Sequence, residues 1–182
     1  MAFIDLASER YSERRFAATP IEEEKLSAIV EAGRVAPTAE NFQPQRILLV
    51  TSPEGLAKID EGTSCRFGAP AVALLAYDTK ASANHPDVCD FGGVDLSIVA
   101  THMMLEAQDL GIHSCWVGLI DPSELRRQFD VPASYRIMGL MDFGYPKPSS
   151  RPSRLHRKSK ATGELFFREN YDTPFEGHEA VE

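Results

Sequence analysis

The stretch GVDLSIVATHMMLEAQDL, residues 93–110, decides the architecture of this chain. Val94, Leu96, Ile98, Val99, Met103, Met104, Leu105, Ala107 and Leu110 recur around most of a 3.6-residue helix, and Asp95, His102, Glu106 and Asp109 form the polar stripe that is left. So apolar a helix has to be central and mostly buried. Gly111 stands where a helix ends in left-handed backbone. Apolar, strand-like runs flank it at 46–51 and 71–77 on one side and at 113–117 and 136–143 on the other.

Shorter helices fill the intervals. Phe3, Leu6, Ala7 and Arg10 keep helical spacing over residues 2–10. Thr19-Pro20 before Glu22, Glu23 and Glu24 reads as N-cap, N1 proline and acidic first turn, with Leu26, Ile29 and Val30 on the buried face toward Gly33. Ser52-Pro53-Glu54 and Asp121-Pro122-Ser123-Glu124 open two more helices. Residues 36–44, APTAENFQP, lie between prolines and read as an ordered loop rather than a helix or strand, and 79–91 read as polar loop. The alternation predicts an α and β domain.

The 182 residues suit one domain, and 43% hydrophobic with 25% charged residues is globular usage, which excludes disorder and disulfide scaffolds. A net charge of −8 repels nucleic acid and anionic membranes unless cations cluster locally. Cys65, Cys89 and Cys115 lack pairing and C-x-x-C spacing, which fits reduced thiols in the cytoplasm. Asp5 interrupts the start before any signal-peptide core, and no run reaches the ~18 apolar residues of a membrane span.

After Gly144 the chain turns rich in proline and serine, so residues 145–182 are expected to form an extended arm. Phe166, Phe167, Tyr171 and Phe175 in that arm should pack on this chain or on a second copy. Six cations, Lys147, Arg151, Arg154, Arg157, Lys158 and Lys160, occur there without an acid. With Arg10, Arg14 and Arg15 they make two basic clusters in an acidic protein, which suits a discrete phosphate, and a solvated basic tail is the alternative for the second. His85, His102, His113, His156 and His178 are too scattered to hold a metal, and His102 reads as a core histidine paired with Glu106. Cys115, in an apolar strand, reads as packing rather than as a nucleophile. Neither G-x-G-x-x-G nor G-x-x-x-x-G-K-[ST] occurs. The residues alone lead to an α and β domain that takes a phosphate-bearing ligand and reaches another subunit with its arm.

Taken in order, Arg10-x-Ser12-x-Arg14-x-Phe16, the 36–44 loop, the central helix, Gly111 to Gly118 and Gly144-Tyr145-Pro146 resemble the FMN-dependent nitroreductase family, among its small members. The resemblance implies a three-layer α+β fold with a mixed, mainly antiparallel sheet flanked by helices. It also implies a single domain over 1–182 and a homodimer whose C-terminal arm, 145–182, crosses to the partner. FMN is then expected at the interface, reduced by NADH or NADPH and reoxidised by an electron-poor small molecule such as a nitroaromatic or quinone. In this ping-pong cycle FMN N5 carries the hydride and no side-chain acid or base is required.

Carried over by position, the resemblance gives Arg10 and Ser12, with Tyr11 between them, to the phosphate and ribityl chain. Arg14 goes to the N1/O2 edge, where a cation offsets the negative charge that two-electron reduction leaves. Pro37, Thr38, Ala39 and Asn41 would come from the other subunit, with Thr38 replacing the usual serine. Trp116, Val117 and Gly118 would line the inner ring face, where a small residue allows close approach. Arg157 and Lys158 match the phosphate-binding pair of the arm. Gln43-Pro44-Gln45 departs from the family's Gln-Pro-Trp. Cys65, Arg66, Phe67 and His85 read as loop decoration rather than substrate contacts. The fold hosts several reactions, so a flavin store, sensor or partner-driven carrier stands as a second reading, and a dimeric protein whose basic arm binds an acidic partner as a third.

Overall fold

Every side chain from Ala71 to Tyr77 is buried, so the strand they form, β2 (Ala71–Asp78), needs cover on both faces and neighbours on both sides. Its neighbours are β1 (Gln45–Val50) and β4 (Tyr135–Gly144), and β3 (His113–Val117) lies beyond β4, giving the order β1-β2-β4-β3. Leu74 faces Leu48 on one side and Leu140 on the other, and Leu140 faces Val117. In this computed structural model, which describes residues 2–83 and 89–181, all of the ladders are antiparallel. The parallel component of the expected mixed sheet is confined to an isolated bridge between Ser12 and Ser114.

Alternation along β2 sorts the core into two layers. Ala71, Ala73, Leu75 and Tyr77 pack with α2 (Glu23–Arg34) and α4 (Phe91–Asp109), while Val72, Leu74 and Ala76 pack with Ile59 of α3 (Pro53–Gly62) and Leu125 of α5 (Pro122–Gln128). The result is the three-layer α+β fold. α4 is the buried central helix, and Gly111 beyond it has φ +75°. α3 and α5 start where the sequence predicts, with Ser52 Oγ accepting from the Gly55 amide at 3.1 Å and Asp121 Oδ1 from the Ser123 and Glu124 amides at 2.9 and 3.0 Å.

Four local expectations are corrected. α2 starts at Glu23, not at Thr19-Pro20: Ala17 donates to the Tyr145 carbonyl at 2.8 Å, which keeps the chain extended up to the buried Ile21, and Glu22 becomes the N-cap. Val30 is exposed, because Gly33 takes the core position against Met103. His102 is exposed and lies 2.9 Å from the Ile98 carbonyl through Nδ1, not paired with Glu106. The 36–44 loop contains a 3₁₀ turn, Ala39–Asn41.

Arg66 holds Asp60 at 2.5 and 2.6 Å and the Ala69 carbonyl at 2.8 Å, and Cys65 and Phe67 pack against the core. His85 lies outside the described residues. α1 (Phe3–Glu9) buries none of its side chains. After Ser150 the chain forms a second unit with a 3₁₀ turn, Arg154–Arg157, and a single-turn helix α6 (Thr162–Leu165), closed by bridges between Ser159 and Val181 and between Phe167 and Pro174. Phe166, Phe167, Tyr171 and Phe175 are all exposed.

Candidate functional site

The segment following α1 crosses the end of the sheet beside β3. Ser12 bridges Ser114, the Glu13 amide donates to the Ser114 carbonyl at 3.0 Å, and Phe16 bridges Pro146. Glu13 points inward and is 1% exposed, whereas Arg14 and Arg15 lie on the surface. The Glu13 carboxylate accepts from the amides of Arg14 (2.8 Å) and Arg15 (2.6 Å) and from the Tyr11 hydroxyl (3.0 Å), and Ser150 Oγ lies 2.6 and 2.7 Å from its two oxygens. Arg14 and Arg10 both draw the Cys115 pKa downward, which places their charges near β3, but burial outweighs them and pushes the thiol up to about 11. Cys115 is therefore a packing group, as its apolar strand predicts.

β3 itself ends openly. Trp116 is 36% exposed, Val117 is buried, and a Cβ added at Gly118 would meet nothing within 4 Å. A Cβ at Gly139 of β4 would fall 2.8 Å from the Val117 carbonyl and 3.2 Å from Trp116 Nε1, so glycine there leaves the indole its place over the strand. His113 Nδ1 and Ser114 Oγ are buried and have no hydrogen-bond partner among the described residues. The His113 ring meets Tyr11 edge-on at 4.9 Å, and burial lowers its pKa against the opposing charge of Glu13, so it is neutral at pH 7.

The second group of predicted residues is built on strain. Glu40, Asn41 and Gln43 have φ of +50°, +58° and +50°, left-handed values that cost a non-glycine residue about 1 kcal/mol each. Local bonds hold them: Thr38 Oγ1 accepts from the Gln43 amide at 3.1 Å, Gln43 Nε2 donates to Asn41 Oδ1 at 3.1 Å, and the Ala39 amide donates to Asp95 Oδ1 at 2.8 Å. Asp95 was expected in the polar stripe of α4, yet it is 1% exposed, because its role is to receive this loop.

The sheet order separates the two groups. The loop at 37–43 leads into β1 at one edge, whereas 116–118 end β3 and Ser12 bridges to it at the other, three strand spacings or about 14 Å away. Arg157 and Lys158 lie in and beside the 3₁₀ turn of the second unit. Glu13, Asp95 and Ser150 were not foreseen as site residues. Strand-like alternation in Arg10-Tyr11-Ser12-Glu13-Arg14 was the available signal for Glu13; Asp95 and Ser150 carried none. Among the described residues no group of three or more His, Cys, Asp or Glu could hold a metal ion, and no helix is long and apolar enough to cross a membrane.

A three-layer α+β body with a four-stranded antiparallel sheet between helices defines the class of fold. The nitroreductase family model matches residues 7–67 and 63–145, and the chain belongs to the nitroreductase family. A nitroreductase family protein of Clostridium difficile 630 is 32% identical with a TM-score of 0.87, covering 93% of this chain and 99% of that one. A relative from Archaeoglobus fulgidus, provisionally named an NADH dehydrogenase/NAD(P)H nitroreductase, is 29% identical over 82% of this chain and 93% of its own. The Bacteroides fragilis nitroreductase whose structure contains bound FMN shares the fold, with a TM-score of 0.75 at 21% identity over 93% of this chain and 100% of that one.

Proposed function

We propose that this protein is an FMN-dependent oxidoreductase that takes electrons from NADH or NADPH and passes them to an electron-poor small molecule, a nitroaromatic, quinone or related compound. It would do so as a homodimer with two equivalent sites. The observation that supports the reading is that the predicted site residues lie toward opposite edges of one sheet, an arrangement that a second copy would complete by bringing its Asn41 to Arg10. The NAD(P)H and FMN in the names of the Archaeoglobus and Bacteroides relatives support the donor and the cofactor.

The residues fit FMN. Arg10 and Ser12 offer a guanidinium and a hydroxyl to a phosphate, and the family resemblance would assign Arg157 and Lys158 to a phosphate as well. Tyr11 backs this segment against His113. Arg14 stabilises negative charge on the pyrimidine edge, while Val117 and Gly118 present backbone to the ring and Trp116 flanks it. Pro37, Thr38 and Ala39 of the partner subunit and Asn41 of the partner subunit close the pyrimidine side. Held by these residues, FMN would supply the two-electron redox chemistry between nicotinamide and acceptor. The strained 37–43 loop and the glycines at 118 and 139 would hold the residues around the flavin in one geometry.

Association has the surface it needs. Phe3, Ile4, Val30 and Val94 are exposed, and Val94, Ser97, Ile98, Thr101 and Met138 line a shallow groove of about 610 Å³ along α4. The arm at 145–182, with its exposed aromatics, would cross to the partner, and the family domain would span 1–182. The acidic balance disfavours nucleic acid and membrane surfaces, and the unpaired thiols suit the cytoplasm.

Mixing variants tests the shared site. Arg10→Ala and Asn41→Ala homodimers should each turn over poorly, and a refolded mixture should regain about a quarter of wild-type activity, since half the dimers then carry one intact site. A mixture no better than its parents would contradict the arrangement.

A further inference from the structure

We propose that Glu13 is the positioning residue for the phosphate side of this site: its buried carboxylate holds the Arg10–Arg15 segment in its binding shape and latches that segment to Ser150. The inference rests on the assignment of Arg10, Ser12 and Arg14 to FMN.

Glu13 has no ion-pair partner among the described residues, yet four donors surround it, the Arg14 and Arg15 amides and the Tyr11 and Ser150 hydroxyls. A carboxylate is the side chain that accepts all four, because it has two oxygens and no proton to donate. Two consecutive amides turned toward one inward carboxylate compel the Arg14 and Arg15 side chains to leave the body on its outer side, where both are exposed. The Glu13 amide is tied to Ser114, so the same residue fixes the segment to β3. On the other flank the Lys147 amide donates to the Arg15 carbonyl at 2.9 Å and the Ser150 amide to the Lys147 carbonyl at 2.8 Å, which brings the Ser150 hydroxyl onto Glu13. Ser150 is the last residue of the first unit, and the second begins at Arg151 within the expected arm. One buried acid therefore sets both the arginine segment and the point at which the first unit ends.

Its charge has a second effect. Arg10, Arg14 and Arg15 repel one another before an anion arrives, and the negative charge at the centre of the segment offsets that repulsion. If charge alone mattered, removing it would strengthen phosphate binding. If position matters more, removing it weakens binding.

The test compares FMN with riboflavin, which lacks the phosphate, by flavin fluorescence titration of the full-length apoprotein. In Glu13→Gln the amide keeps the volume but presents an N–H to groups that also donate. The FMN dissociation constant should rise about tenfold or more, equivalent to about 1.4 kcal/mol, while that for riboflavin changes less than about threefold. Ser150→Ala should move FMN alone, in the same direction and less. Equal losses for both flavins, tighter FMN binding, or a Glu13→Gln chain that does not fold while Ser150→Ala binds like wild type would overturn the proposal in favour of a purely structural acid. A wild-type protein that binds riboflavin and FMN equally, or neither, would sink the FMN reading together with it, whereas FMN-selective wild type with unchanged Glu13→Gln sinks this inference alone.

Discussion

Of the three acids buried among the described residues, Glu13 at the rim of the candidate site and Asp142 inside the sheet have opposite surroundings. Glu13 is met by four donors within 3.0 Å, whereas Asp142 of β4, with no exposed surface, has no hydrogen-bond partner for either oxygen among the described residues. Burial pushes the Asp142 carboxyl up to about 8, with Asp60 adding to the rise and Arg66 opposing it. Burial alone therefore does not give a carboxyl its role; the donors around it do. Glu13 organises backbone as an acceptor, and Asp142 is a neutral acid opposite Cys115 that penalises the fold when it ionises.

The largest consequence lies at Asp142. An unfolded chain releases this proton near pH 4, while the folded protein keeps it until about 8. Between those values the unfolded state binds fewer protons, so the contribution is fully present below about pH 4 and is lost as pH rises, by at most about 1.4 kcal/mol per pH unit. Asp142→Asn removes that slope and should be the more stable protein at pH 8, by several kcal/mol on this order of magnitude, with the advantage vanishing near pH 4. Urea unfolding of both proteins across that range measures it, and a pH-independent difference would break the contrast.

Glu13→Ala comes next and acts in the other direction. Stripping four donors of their acceptor should cost about 3 kcal/mol at pH 7, read as a lower urea midpoint at an unchanged slope. A neutral result would make Glu13 as dispensable as Asp142. The smallest effect belongs to Ser150→Ala, which removes one of the four donors and should cost about 1 kcal/mol.

The same contrast explains what could be read in advance. Caps at Ser52 and Asp121, the left-handed Gly111, and the apolar run of β2 are local chemistry, and the structure follows them. Family motifs carried the rest of the fold. α2 begins late because Tyr145, 120 residues from Lys25 and bonded to both Lys25 and Glu22, and the buried Ile21 set its entry, which no local cap reveals. Asp95 looked like one more member of a solvated stripe, since the amide it receives comes from a loop 56 residues earlier. Asp142 was silent and Glu13 offered no more than strand-like alternation, for burial of a polar group is decided by segments far away in the chain. Polar residues inside apolar or strand-like runs are where sequence patterns fail, and here they surround the candidate site.

The central claim is that the chain holds FMN and that a nicotinamide reduces it there. An anaerobic absorbance spectrum of the purified protein with FMN, before and after NADH and then NADPH, tests it in one cuvette. The protein should retain the flavin, and its visible band should bleach promptly with at least one of the two donors. A protein that fails to retain FMN, or whose bound flavin stays oxidised with both, would contradict it.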